Sequence, residues 1–341
     1  MIKMIKDTPT TIGITMGDPS GIGPEIIIKS FGNSEIRDNR IIVIGDYNVM
    51  QAACKMLKIN SFKLNRIYDV QEGVFNPGVL NILDLSLVKM NDLQPGAVQA
   101  VSGNAAFECI RKAVTLAENK DIDAIVTAPL NKEALHLAGH KFPGHTEILS
   151  SLTSTRDYAM LLYEKRLSVI HVSTHVSLLE AISGLRRERI EKVIKLGNEV
   201  MRRLSGDEPR IAVAGINPHA GENGLFGKEE INEIIPAVKN MKSSGINVDG
   251  PLPPDTVFLQ TLKGKYDLVV AMYHDQGHIP LKLIGFSSGV NVTVGLPFLR
   301  TSVDHGTAFD ISWKGKANED SMVEAIKLSL KLVNRTQAKD S

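Results

Sequence analysis

Six times along this chain a short β-branched or apolar run stops against Gly, Pro, Asn, Asp or His, and that recurrence restricts the fold more than any other feature. Residues 11–15 lead into MGDPSGIGPE, 41–44 into GDYN, 124–127 into APLNKE, 167–173 into THVS, 211–216 into NPHAGENG, and 268–272 into YHDQGH. Runs that are apolar on both faces suit strands covered by helices on both sides of a sheet. Helical periodicity alternates with them. Over 104–117, Ala106, Phe107, Ile110, Ala113, Val114 and Ala117 share a face; over 189–204, Ile190, Val193, Ile194, Val200 and Met201 do the same; Met322, Ala325, Ile326 and Leu330 mark a last helix. The alternation predicts an α/β fold with a mixed, mostly parallel sheet. Ligands of such sheets gather beyond the carboxyl ends of the strands, where the polar clusters of this chain fall.

The 341 residues are long for one core, so two domains are expected. Lys and Arg number 39 against 38 Asp and Glu, a net charge of +1 that excludes a broad electrostatic nucleic-acid surface. No apolar run approaches the length of a membrane span, and MIKMIKDTPTTIG carries no apolar signal core. Cys54 and Cys109 lie in no metal or redox pattern and read as two reduced thiols. The expected location is the cytoplasm, without membrane or nucleic-acid partners.

The densest chemistry lies in 267–310, DLVVAMYHDQGHIPLKLIGFSSGVNVTVGLPFLRTSVDHGTAFD. His175, His219 and His274 each follow a strand-like run. Three imidazoles at strand ends suit a catalytic divalent cation, although they are far apart in sequence and a lone histidine is more often structural. His171 and His278 read as packing or as support for those ligands. In GHTE, His145 and Thr146 beside a glycine suit a phosphate, but a turn or helix cap accounts for the same residues. Lys282, Asn291 and Arg300 are individually ordinary; beside a metal they would neutralise an anionic substrate. GDPSGIGPE does not fit G-x-G-x-x-G, and no Walker sequence is present. Gly285-Phe286-Ser287-Ser288-Gly289 matches the nucleophile-elbow pattern, but VNVTVG after it reads as a strand where an elbow needs a helix.

ITMGDPSGIGPEI, TAPLNKEALHLAGHKFPGHTE, NPHAGENG, PPDTVF, MYHDQGHIPLK and GLPFLRTSVDHGTAFDI together resemble the PdxA family, the 4-hydroxythreonine-4-phosphate dehydrogenases and their relatives, from the first strand to the last helix. The resemblance implies an isocitrate/isopropylmalate dehydrogenase-like fold: two α/β/α domains flanking a cleft, 1–128 plus 307–341 with the cofactor loop, and 129–306 with the metal and substrate site and the dimer interface. Pro129 and PLPP at 251–254 are the candidate crossings. It also implies NAD bound without a Rossmann loop, by HGTAFD (His305, Gly306, Thr307, Ala308 and Asp310). The metal ligands it implies are His175, His219 and His274, shared between the subunits of a homodimer and holding Zn, Mg, Co or Mn. The implied substrate contacts are His145, Thr146, Lys282, Asn291 and Arg300, with Asp255 as a carboxylate near the catalytic centre and Lys282 or Asp255 as the base. HDQGHIPLKLIGF, LNKEALHLAGH, TRDYAM and KGKANEDSM look like the family's second subgroup. The activity so implied is NAD-dependent oxidation and decarboxylation of D-threonate or D-erythronate 4-phosphate to dihydroxyacetone phosphate. The alternative is 4-hydroxythreonine-4-phosphate oxidation in vitamin B6 synthesis, and a metal-dependent phosphatase or hydrolase is more remote.

Overall fold

The computed structural model describes residues 9–285 and 289–340. Among them are twelve strands: β1 (Thr11–Thr15), β2 (Arg40–Gly45), β3 (Lys63–Ile67), β4 (Val79–Asp84), β5 (Ala124–Thr127), β6 (Ala159–Glu164), β7 (Leu167–His171), β8 (Ile211–Ala214), β9 (Val248–Leu252), β10 (Leu268–Ala271), β11 (Val290–Val294) and β12 (Leu299–Val303). All six runs read from the sequence are strands, and the chain divides into two compact units.

The first unit is Met1–Arg156 with Leu296–Ser341. Its strands are ordered β3-β4-β2-β1-β5-β12, every pair parallel. Ile12, Ile14, Ile42 and Ile44 are 2% exposed or less, and β1 and β5 are buried along their whole length. Burying each such isoleucine is worth roughly 1.5–3 kcal/mol, which is why apolar residues occupy both faces of these strands. Helices Gly23–Phe31, Ala100–Glu118, His145–Leu152 and Asp320–Asp340 belong to this unit.

The second unit is Asp157–Gly295, with strands in the order β11-β6-β7-β10-β8-β9. β7, β10, β8 and β9 run parallel, while β6 is antiparallel to both β7 and β11. Leu162, Val169, Ala212, Val257, Val269 and Leu281 form its core. The mixed, mostly parallel α/β architecture is therefore the one the alternation predicts.

The division falls after Arg156 and after Gly295, not after 128 and 306. Residues 129–156 stay with the first unit because helix Lys132–Leu137 packs against helix Ala100–Glu118 so closely that a Cβ at Gly103 would meet the Ala134 carbonyl at 2.0 Å. Residues 296–306 stay with it because β12 pairs with β5, Arg300 opposite Ile125. The PLPP run is no crossing; it joins β9 to helix Pro254–Leu262 inside the second unit. Among the described residues no helix is long and apolar enough to cross a membrane.

Candidate active site

The second unit carries the three histidines expected to bind the metal, together with His171 and His278. The run ending at β10 continues directly into a helix, His274–Gly285, where the sequence reading had only a strand-like run closing on His274. Helical spacing puts His274, His278 and Lys282 on one stripe, at i, i+4 and i+8. The rings of His274 and His278 stack with centroids 3.6 Å apart and planes 11° from parallel. His171, at the end of β7, packs against both, at 6.4 Å from His274 and 4.8 Å from His278. That approach requires Gly277, because a Cβ there would lie 2.4 Å from His171 Nε2. His171 is fully buried with Nδ1 3.2 Å from the Met160 carbonyl. Burial, then the neighbouring His278, lowers its pKa to about 3; burial and His274 lower that of His278 to about 4. Both rings are neutral near pH 7 and act as packing for His274.

His175 follows β7 on an exposed turn, with its ring 6.0 Å from that of His274. His219 stands after β8 on a turn in which every residue from His219 to Asn223 has positive φ, between 42° and 79°. The left-handed conformation costs roughly 1–2 kcal/mol for each non-glycine residue. Strain of that kind persists where the surrounding structure over-determines it, often at functional sites.

The donor set fits a divalent cation. His274 Nδ1 lies 2.6 Å from Asp275 Oδ1, and His219 Nδ1 lies 3.4 Å from Glu222 Oε2. In both, a carboxylate lies on the Nδ1 side of the ring, as it does behind imidazoles that bind a metal through Nε2. His175 and His274 face each other within this chain, whereas His219 lies beside Phe226, ring centroids 6.0 Å apart. Among the described residues no three His, Cys, Asp or Glu side chains converge closely enough to hold a metal by themselves. Of the other residues expected in the site, Lys282 and Asn291 are half-buried, on the helix and on β11, and Asp255 is exposed in the first turn of helix Pro254–Leu262.

The first unit carries Arg300, His145 and Thr146, the expected anion contacts, and the expected cofactor segment. Arg300, on β12, is 2% exposed and donates to Thr127 Oγ1 at 2.7 Å. Burial lowers its pKa to about 9, opposed by the Glu147 carboxylate, so it remains cationic near neutrality. His145 and Thr146 open helix His145–Leu152, whose N-cap is Gly144 without a side-chain cap bond, so neither residue caps the helix. Burial first, and Arg300 second, hold His145 well below its ordinary pKa, while a hydrogen bond to the Ala128 backbone opposes the shift. The positive charge here is thus Arg300's, and His145 is a neutral hydrogen-bonding group.

GDPSGIGPE and HGTAFD, distant in sequence, meet in this unit. Ile22 N donates to the Thr307 carbonyl at 3.1 Å, Trp313 Nε1 to that of Pro19 at 2.9 Å, and Ala317 N to the buried Glu25 at 2.9 Å. Thr307 is buried, Ala308 has a φ of 42°, and His305, Gly306 and Asp310 are exposed. Asp18, fully buried in the same loop, accepts from Ser20 N at 2.8 Å, and burial pushes its carboxyl up to about 7. The folded chain keeps this proton to about pH 7, whereas an unfolded Asp releases it near 3.8. Stability must therefore fall as pH rises from about 4 to 7, by up to ~1.4 kcal/mol per pH unit. Asp18→Asn is expected to flatten the pH dependence of Tm over that window in calorimetric scans; an unchanged slope contradicts the assignment.

The nucleophile-elbow reading fails on both flanks. A helix precedes Gly285 and β11 follows Gly289, the reverse of what an elbow needs, and residues 286–288 lie outside the described residues.

A family model described as "Pyridoxal phosphate biosynthetic protein PdxA" matches residues 37–329. The chain belongs to the PdxA family. Among curated relatives, a D-threonate 4-phosphate dehydrogenase of Pectobacterium atrosepticum is 55% identical over 94% of this chain and 98% of its own length. One from Salmonella typhimurium is 52% identical with the same coverage. A crystal structure of a 4-hydroxythreonine-4-phosphate dehydrogenase from Klebsiella pneumoniae is 52% identical, covers 95% of this chain and 99% of its own, and superposes with a TM-score of 0.87. The PdxA-family resemblance read from the motifs is therefore correct. Sequence reading missed Thr127 and Glu147, the groups facing Arg300, because they lie far from it in the chain; the i, i+4, i+8 spacing of His274, His278 and Lys282 was the signal available for the helix.

Proposed function

We propose that this PdxA-family chain catalyses NAD+-dependent oxidation and decarboxylation of D-threonate 4-phosphate, or of D-erythronate 4-phosphate, to dihydroxyacetone phosphate and CO2. The observation that carries the proposal is near full-length identity of 52–55% to relatives named for the first of these substrates. The similarly close Klebsiella structure, named for 4-hydroxythreonine 4-phosphate, supports that compound as the second reading.

Residues 305–310 would hold NAD+, which would serve as the hydride acceptor, and His175, His219 and His274 would hold a divalent cation, which would supply Lewis-acid polarisation. Lys282, as the candidate base, takes the hydroxyl proton as hydride leaves the same carbon. The β-keto acid then loses CO2, and the Lys282 ammonium returns its proton to the carbon left behind. Asp255, exposed one residue into its helix, is the other candidate base. Arg300 supplies the charge that attracts the anionic substrate, and His145, Thr146 and Asn291 hydrogen-bond to it. Arg300→Met is expected to raise KM for the phosphorylated acid about 10- to 100-fold, since a hydrogen bond to a charged group is worth about 1.5–3 kcal/mol. An unchanged KM would remove Arg300 from the binding role.

A homodimer with the active site at its interface is part of the proposal. Large apolar side chains are exposed beside each candidate ligand: Leu178 and Leu179 after His175, Leu225 and Phe226 after His219, Ile279 and Leu283 after His274. Apolar exposure at that density marks an association surface, and a second copy of the chain would cover it. The cytoplasm is the proposed location. The test that separates a dehydrogenase from a hydrolase is incubation with D-threonate 4-phosphate, NAD+ and a divalent cation. NADH formation without phosphate release is expected; phosphate release without NADH contradicts the proposal.

A further inference from the structure

Between the end of β8 and His219 the backbone passes through Gly215, Ile216 and Asn217, and two buried side chains hold these three peptides. Gln276 Nε2 donates to the Gly215 carbonyl at 2.7 Å. Glu230 Oε1 accepts from Ile216 N and from Asn217 N, both at 2.8 Å. Glu230 Oε2 accepts from Asn217 Nδ2 at 2.9 Å and lies against Gly221 in the left-handed turn, where φ is +79° and a Cβ would come within 2.7 Å of it. The other end of Gln276 accepts from Met272 N at 2.6 Å. Gln276 is 7% exposed and Glu230 1%. Glu230 also opens a π-helical turn, Glu230–Ile234, a distortion often found at functional sites.

One carboxamide therefore links the peptide four residues before His219 to the peptide two residues before His274. Its two ends meet opposite demands, an N–H at Met272 and a carbonyl at Gly215, and a carboxamide presents an acceptor and a donor on one rigid group. The groups that hydrogen-bond to the Glu230 carboxylate, an acceptor only, are all N–H donors. Chemistry at both positions matches the backbone around it, and that backbone carries the histidines.

We infer that Gln276 and Glu230 are positioning residues that hold the two backbone segments leading into His219 and into His274, so that each imidazole is presented correctly to a metal site shared between subunits. The inference rests on the three-histidine reading above. Gln276→Glu keeps the acceptor for Met272 but turns an oxygen toward the Gly215 carbonyl. Glu230→Gln turns an amide N–H either toward the Ile216 and Asn217 backbone donors or toward Asn217 Nδ2, which still has Glu229 Oε2 at 2.7 Å. Neither change touches a histidine.

The test is Co2+ titration of the purified, metal-stripped full chain by calorimetry, with far-UV circular dichroism to confirm folding and NAD+ affinity as a reference. In the folded variants Co2+ affinity is expected to fall about 10- to 100-fold, the usual consequence of losing a partner behind the ligands, with NAD+ affinity unchanged. On turnover, kcat is expected to fall while KM for NAD+ holds. Co2+ affinity within about 2-fold of wild type in a folded variant overturns the inference. Should Gln276→Glu fail to fold, Glu230→Gln decides on the same readout. The three-histidine reading fails separately, if wild type and His274→Ala take up Co2+ equally.

Discussion

His274→Ala is expected to lower kcat by about 1,000-fold or more and to abolish tight divalent-cation binding while the chain stays folded. Lewis-acid stabilisation is worth several kcal/mol, and about 4 kcal/mol corresponds to three powers of ten in rate. His274 starts a helix at the carboxyl end of β10, with its ring beside those of His175 and His278 and Asp275 behind its Nδ1. Its side chain is 37% exposed, so truncation leaves no closed cavity in the core of Val169, Ala212 and Val269. Circular dichroism should match wild type, and thermal scans should shift by a few degrees at most. Activity within about tenfold of wild type would refute the three-histidine site.

Lys282→Ala is expected to cost about 100- to 10,000-fold in kcat, the range for loss of a positioned acid–base group, with Co2+ affinity retained. That combination distinguishes it from His274→Ala. The stripe His274, His278 and Lys282 places the amine two helical turns from the histidine, on the same face and half-buried. Lys282→Arg should not restore turnover, because a guanidinium keeps its proton at any working pH. Unchanged kinetics in Lys282→Ala would pass the role to another residue, with Asp255 next to be tested.

Much of the fold was legible because the fully buried parallel strands announce themselves as continuous apolar runs. β1, β2, β5, β7, β8 and β10 were all read in this way. β3, KLNRI, was not, since its outward residues are polar; nor was β12, LRTSV, because the buried Arg300 interrupts it. Gly277 and Pro280 disguised helix His274–Gly285, although the first is there to admit His171 and the second sits on its half-exposed side. The unit boundaries were misplaced because β12 and residues 129–156 return to the first sheet through long-range packing that no local signal marks. The candidate residues were legible one by one, as histidines at strand ends and cations among glycines. Their supports were not: Gln276 and Glu230 look like ordinary polar residues until the backbone groups they hold are seen.

The most direct test of the account is a side-by-side assay of D-threonate 4-phosphate, D-erythronate 4-phosphate and 4-hydroxythreonine 4-phosphate with NAD+ and a divalent cation, following NADH and CO2 together. Equimolar NADH and CO2 are expected, with the highest kcat/KM for one of the two sugar-acid phosphates. A clear preference for 4-hydroxythreonine 4-phosphate, or NADH formed without CO2, would contradict it.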